Sequence, residues 1–365
     1  MLVLNSTNNS MMPPSPNSTG FPPRDLDLAT AEVITLAVIF IFALFGNAIM
    51  VSVLCCKRKQ PSRMHIFMMH LCIADLLVAI FQVFPQLIWD ITDLFMASDF
   101  VCRLITYLQV VGMFSSTYMT VGMTIDRYQA VCFPLVTFQG RRARWNIVVG
   151  ATWLLSLLLS IPQIFVFSLT EISPGVHTCY ANFVGNWGRK AYVMWICIAV
   201  FVVPTIILVV CQTTICHVLW SNMYTKTHRN VAGNSNQLML SRVNNVNSIS
   251  RAMVKTVKMT IVIVIVYIIC WTPFMVMQLW NIWDPHPPKI GPSHGCSALF
   301  TICMLLASLN SCTNPWIYMA FSRSFPTWLG CGVCSKRRSR TRGPREESVT
   351  TSSLNFGSSS WTNCE

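Results

Sequence analysis

Residues 64–89 read "MHIFMMHLCIADLLVAIFQVFPQLIW". The run is long enough to cross a bilayer, because about 20 mostly apolar residues span the hydrocarbon as a helix. It nevertheless holds one carboxylate, Asp75, and two primary amides, Gln82 and Gln86. Its reading decides the fold, since it makes seven spans of what would otherwise be six. The polarity of the run does not alternate, and its length far exceeds the roughly ten residues of a barrel strand. We therefore read it as a helix. Gln82 and Gln86 are four apart and share one helical face. Each amide is costly in hydrocarbon unless it is hydrogen-bonded, so their purpose needs an explanation.

The other six runs without charge are 33–56, 104–125, 145–170, 191–225, 259–283 and 290–322. The 365-residue chain is 53% hydrophobic and only 11% charged, against roughly 25% charged in soluble proteins. The expected class is an all-α membrane protein, a bundle of seven transmembrane helices with a short amphipathic helix after the seventh. The expected divisions are an N-terminal tail over 1–30, the bundle over 31–333 and a disordered tail over 334–365. The polar, Asn/Ser-rich connection at about 221–254 reads as a mobile loop.

A net charge of +13 invites a nucleic-acid reading, but the distribution of the bases excludes it. They gather in alternate connections: Lys57, Arg58, Lys59 and Arg63; Arg141, Arg142 and Arg144; Lys226 to Lys258; and Arg323 to Arg345. The positive-inside rule then places the N-terminus outside and the C-terminus in the cytosol of a plasma-membrane protein. The only glycosylation sequons, at Asn5, Asn8 and Asn17, fall in the expected outer tail. No basic segment followed by an apolar core opens the chain, so the first span is expected to serve as the membrane address. Cys102 and Cys179 sit on the oxidising side and form the expected disulfide, with Cys296 near the same face left unassigned. Cys331 and Cys334 follow the last span and are candidate palmitoylation sites.

Asp75 is an ionisable group in mid-span with no base in any span to pair with, which makes it a functional suspect. It is expected to share a polar pocket with Asn47, Ser116, Asn310, Ser311 and Asn314, and to bind sodium or take up a proton. No other cofactor and no metal site is expected.

Depth along the helices answers the question of the amides. At 1.5 Å per residue from His65, Gln82 and Gln86 lie about 25 and 32 Å up an inside-to-outside helix. Gln163 and Gln278 lie equally far along the fourth and sixth spans. Gln109 is only seven residues from Cys102 on a span running the other way. Five amides from four helices are thus expected at one outer depth, whereas Gln212 falls in the inner half of span five. Amides also glue membrane helices together, but five at one level suggest a pocket for peptide bonds and carboxamides, since an amide donates and accepts without net charge. Residues 104–125 contain no Asp for a small amine, and 290–322 no Lys for a retinal Schiff base.

The motifs "TIDRYQAV" (124–131), "NSCTNPWIY" (310–318), "CWTPF" (270–274), "GN" (46–47) and "LCIADLL" (71–77), with Trp153 and Pro204, fall in order on the spans. Together they resemble the rhodopsin-like family of G-protein-coupled receptors over about residues 30–330. The resemblance implies a receptor and not an enzyme, with span six swinging outward when active. It implies switch roles for Asp126, Arg127, Tyr128, Trp271, Pro273, Asn314, Pro315 and Tyr318, and contact of receptor kinases and arrestin with the Ser/Thr-rich tail. The family usually has Tyr where this chain has Gln212.

"FQVFPQLIWDIT", "CRLITYLQVVGMFSSTYM", "SIPQ", "KTVKMT", "CWTPFMVMQLWNIWD" and "LASLNSCTNPWIYMAFS" are further similar to the vasopressin and oxytocin receptor family. That likeness implies that the five glutamines, with Glu32 and Arg24, line a site for a cyclic, amidated nonapeptide. It favours Gq and calcium signalling, with Gs and cyclic AMP as the alternative. Two positions depart from the family: Thr106 replaces a Lys, and Thr178-Cys179-Tyr180 replaces Asp-Cys-Trp. A receptor for neuropeptide S or crustacean cardioactive peptide is the alternative within the class. Asp93 is a candidate selector of ligands with a basic side chain. A transporter should show internal repeats, and an intramembrane metalloprotease His-Glu-x-x-His; the sequence has neither.

Overall fold

The computed structural model describes residues 26–56, 63–92, 97–133, 143–173, 176–232, 240–284 and 295–321. In chain order the elements are α1 (Leu26–Cys55), α2 (Arg63–Thr92), α3 (Asp99–Cys132) and α4 (Ala143–Leu159). A short helical extension, Pro162–Val166, leads from α4 into β1 (Phe167–Ser173) and β2 (Val176–Ala181). Then come α5 (185–232), α6 (Leu240–Trp283) and α7 (Gly295–Phe321). Helices α1, α2, α3, α5 and α6, and α4 together with its extension to Val166, are each long and apolar enough to cross a membrane, and α7 adds a further 27 residues. The chain is a multi-pass membrane protein built as a helix bundle.

α3 is the central post. From Gln109 to Thr124 nearly every side chain on it is buried, as expected of a helix packed on all sides. Small residues permit the close approach. A Cβ on Gly112 would lie 3.0 Å from Val78 Cγ2 and 3.1 Å from the Val78 backbone nitrogen, so α2 and α3 meet there almost backbone to backbone.

Prolines create a second set of contacts. A proline inside a helix leaves the carbonyl four residues earlier without its donor. In α5, Pro204 frees Val200 O, beside the π-turn Cys197–Val202. The Tyr267 hydroxyl of α6 donates to that oxygen, and the Tyr118 hydroxyl of α3 donates to Ala199 O at 3.1 Å. In α7, Pro315 frees Ser311 O, and Asn47 Nδ2 of α1 donates to it at 2.9 Å as well as to Ala43 O at 2.8 Å. In α2, Pro85 follows a second π-turn, Ala79–Val83.

Two expectations need correction. The run 145–170 is not helical throughout, because its last residues enter an antiparallel hairpin that pairs Leu169 with Cys179. Asp99 at the start of α3 captures this edge: its Oδ1 accepts from Leu169 N at 2.7 Å. The connection 221–254 is not a loop over most of its length, since α5 continues to Ala232 and α6 begins at Leu240. The segment is polar, but over those stretches it holds neither Pro nor Gly, so an established helix propagates through it.

Candidate functional site

The hairpin marks one end of the bundle. The Cys102–Cys179 disulfide, with Cα atoms 5.6 Å apart, ties β2 to the first turn of α3. Arg103 reinforces the corner, with Nη1 donating to Ile164 O and Nε to Asp99 Oδ2, each at 2.7 Å. Below the hairpin lies a narrow cavity lined by Gln82, Gln86 and Gln109 together with Leu36, Trp271, Phe274 and Ser308. No hydrogen bond joins the Gln82 or Gln109 amide to another described residue, whereas Gln86 Nε2 donates to Asp90 Oδ1 at 2.8 Å. Glu32 is half-buried on α1, one turn before the lining residue Leu36 and on the same face.

The five amides do not share one chamber. Gln278 lines a second, smaller cavity with Tyr192, Val193, Cys197 and Met275. Phe274 belongs to both cavities and stands between them. Gln163 is buried and accepts a hydrogen bond from the Tyr192 hydroxyl, so it acts as helix glue from α4 to α5. Equal depth did not guarantee equal direction: the three faces involved point differently around the bundle. Sequence reasoning missed Tyr192 and Phe274. Phe274 was findable, since Trp271, Phe274, Met275 and Gln278 follow the i, i+3, i+4, i+7 pattern of one helical face.

At the floor of the larger cavity, Trp271 is buried against Phe274 and Tyr267, and its indole N–H has no hydrogen-bond partner. Pro273 follows two residues later inside α6. Deeper still, fully buried Asp75 accepts from Ser116 Oγ at 2.7 Å and from Asn314 Nδ2 at 2.8 Å. One carboxylate thus joins α2, α3 and α7. Asn310 and Ser311 are buried on α7 nearby in sequence, but the hydrogen bonds to Asp75 come from Ser116 and Asn314.

The opposite end holds a second group of charges. Asp126 is buried and paired with its neighbour Arg127, whose Nε donates to Asp126 Oδ2 at 3.1 Å. Arg127 Nη1 also reaches Thr256 Oγ1 of α6 at 3.5 Å. Arg63 of α2 adds a longer contact to Asp126 Oδ1 at 3.8 Å. Asp126 and Arg127 were expected to pair; Thr256 lies in the quoted stretch KTVKMT but was not singled out as a partner of Arg127. Tyr128 packs edge-on to Phe133. Tyr318 is buried against α2, edge-on to His65, and Pro315 sits one turn before it.

Arg24, Asp93, Asn5, Asn8, Asn17, Cys331, Cys334 and the short helix expected after α7 lie outside the described residues.

Residues 46–318 match the family model for the 7 transmembrane receptor (rhodopsin family). The chain is 51% identical over 312 residues to the mesotocin receptor of Rhinella marina, covering 84% of this chain and 78% of that protein. It is 46% identical over 331 residues to the oxytocin receptor of Ovis aries, covering 87% and 83%. It is 41% identical over 367 residues to the vasopressin V2 receptor of Canis lupus familiaris, covering 97% and 98%.

Proposed function

This chain belongs to the rhodopsin family of seven-transmembrane receptors, among the mesotocin, oxytocin and vasopressin receptors, and from that premise we propose that it is a plasma-membrane receptor for a peptide of the oxytocin–vasopressin kind. In this reading the hairpin end faces outward, the N-terminus is extracellular and the Arg127 end faces the cytosol. The observation that carries the reading is the cavity beneath the hairpin. It presents the uncommitted amides of Gln82 and Gln109 beside apolar Leu36 and Phe274. Paired donors and acceptors in an apolar setting suit the backbone and terminal carboxamide of a peptide.

Binding there changes the load on Trp271 at the cavity floor. Trp271 and Pro273 belong to α6, whose far end holds Thr256 against Arg127. A ligand that favours a displaced α6 therefore weakens the Arg127–Thr256 contact and frees Arg127 for a heterotrimeric G protein. We assign Gq and calcium release as the principal route. Glycans at Asn5, Asn8 and Asn17, acyl chains at Cys331 and Cys334, and phosphorylation of the tail with arrestin recruitment complete the proposal. Asp93 favours peptides with a basic residue at the variable position.

The test is a calcium and cyclic AMP assay on transfected cells, with oxytocin, vasopressin, mesotocin, isotocin and unrelated neuropeptides. A calcium response to the first group at nanomolar concentration is expected. A response confined to the unrelated peptides overturns the ligand reading, and a response in cyclic AMP alone overturns the Gq assignment.

A further inference from the structure

One buried side chain is at odds with its surroundings. Leu208, Gln212 and Ile215 lie at i, i+4 and i+7 on the inward face of α5, and Leu208 and Ile215 are completely buried. Leu208 packs in the cluster that includes Val121 of α3 and Val264 of α6. Ile215 packs with Val131 of α3 and Val257 of α6. Gln212 is therefore held between two apolar layers, in the seam where α3, α5 and α6 meet. It is 8% exposed, and neither its amide nitrogen nor its amide oxygen has a hydrogen-bond partner.

Polar side chains that fall between those apolar layers in sequence on α3 and α6 have partners of their own. Thr124 Oγ1 donates to Thr120 O at 3.0 Å, and Thr260 Oγ1 to Val257 O at 2.9 Å. Arg127 is occupied by Asp126 and Thr256. An amide has two donor hydrogens and an oxygen with two lone pairs, and here all of them are withdrawn from water without compensation. Such a group penalises the arrangement that buries it.

We infer that Gln212 biases this receptor toward opening: its unpaired amide raises the free energy of the closed seam, and separation of α6 from α3 and α5 relieves that cost by admitting water. The inference rests on the reading above, in which a signal separates the helices at the Arg127 end. It adds a residue that forms no hydrogen bond with Arg127 but sets the resting balance between the two states. A Leu at this position has a comparable volume and no polar atoms, so it keeps the packing and removes the penalty.

The experiment compares the unaltered receptor with Gln212→Leu and Gln212→Met, each normalised to surface expression. Ligand-independent signalling, agonist potency and the melting temperature of purified, unliganded receptor are all read. Both variants are expected to lower ligand-independent signalling and to raise the concentration of agonist needed for half-response by about tenfold, which is a shift of about 1.4 kcal/mol in the closed-to-open balance. Both should also melt higher when unliganded. A higher melting temperature with unchanged signalling and unchanged potency means that the amide is equally costly in both states, and overturns the inference. Unchanged melting, or higher basal signalling, overturns it as well. Should no peptide of the panel act, the peptide reading fails separately, while basal signalling and melting still decide the role of Gln212.

Discussion

Gln109 and Gln163 are the same residue type at similar depth, both almost fully buried, yet the structure gives them opposite jobs. Gln109 lines the larger cavity and hydrogen-bonds to no described residue. Gln163 accepts from the buried Tyr192 hydroxyl. Truncating Gln109 to Ala removes no bond from the unliganded protein, so its stability should hardly change. It leaves a polar group of the bound peptide unpaired, at a cost of about 1–3 kcal/mol, which is about five- to 150-fold in affinity. Truncating Gln163 to Ala strands the Tyr192 hydroxyl in the bundle and opens a cavity, so the same range of cost or more falls on folding instead. The assay is thermal unfolding of the two purified variants alongside equilibrium binding of a labelled peptide agonist. Gln109→Ala should keep its melting temperature and lose affinity; Gln163→Ala should melt several degrees lower. A Tyr192→Phe and Gln163→Ala cycle should return a coupling of about 0.5–3 kcal/mol, and a Tyr192→Phe and Gln109→Ala cycle much less. If Gln109→Ala binds peptide normally, or destabilises the receptor as much as Gln163→Ala does, the division between pocket amide and structural amide is wrong.

Asn47→Leu should destabilise the bundle by about 1–3 kcal/mol, because it leaves Ser311 O, already deprived of its helix donor by Pro315, buried without a partner; thermal unfolding checks this, and an unchanged melting temperature counts against the repair role. Cys102→Ser opens a loop of 77 residues in sequence separation and should cost about 2–5 kcal/mol, seen as lower surface expression and weaker peptide binding; Arg103 and Asp99 alone hold the corner if neither falls. Asp75→Asn keeps an acceptor for only one of Ser116 and Asn314, so it should blunt any sodium dependence of agonist affinity; an unaltered receptor indifferent to sodium removes the ion from the proposal. Asp93→Phe should reduce a preference for basic over aliphatic peptides by about 1.4-fold to fivefold at low salt, as expected of an ion pair worth about 0.2–1 kcal/mol; an unchanged ratio excludes Asp93 from selection.

Span number was legible from the chain alone, because length and apolarity are properties of a segment and need no partner. So was the disulfide, since Cys102 and Cys179 share one face of the membrane in the reading from charge. The Asp126–Arg127 pair was readable for a similar local reason. What the sequence could not assign was direction around the bundle. Five glutamines read as one group by depth, but which neighbour each meets depends on the rotation and approach of whole helices. The Gly112 contact with Val78 and the turns near Pro85 and Pro204 set those relations. The repairs made by Asn47 and Tyr267 belong to the same class: prolines announce that a carbonyl is freed, but only packing determines whose side chain reaches it. Gln212 marks the limit most plainly. Its position in span five was visible in the sequence, and its lack of any partner follows only from three helices closing over it, since burial and hydrogen bonding of a side chain are decided by residues far away in the chain.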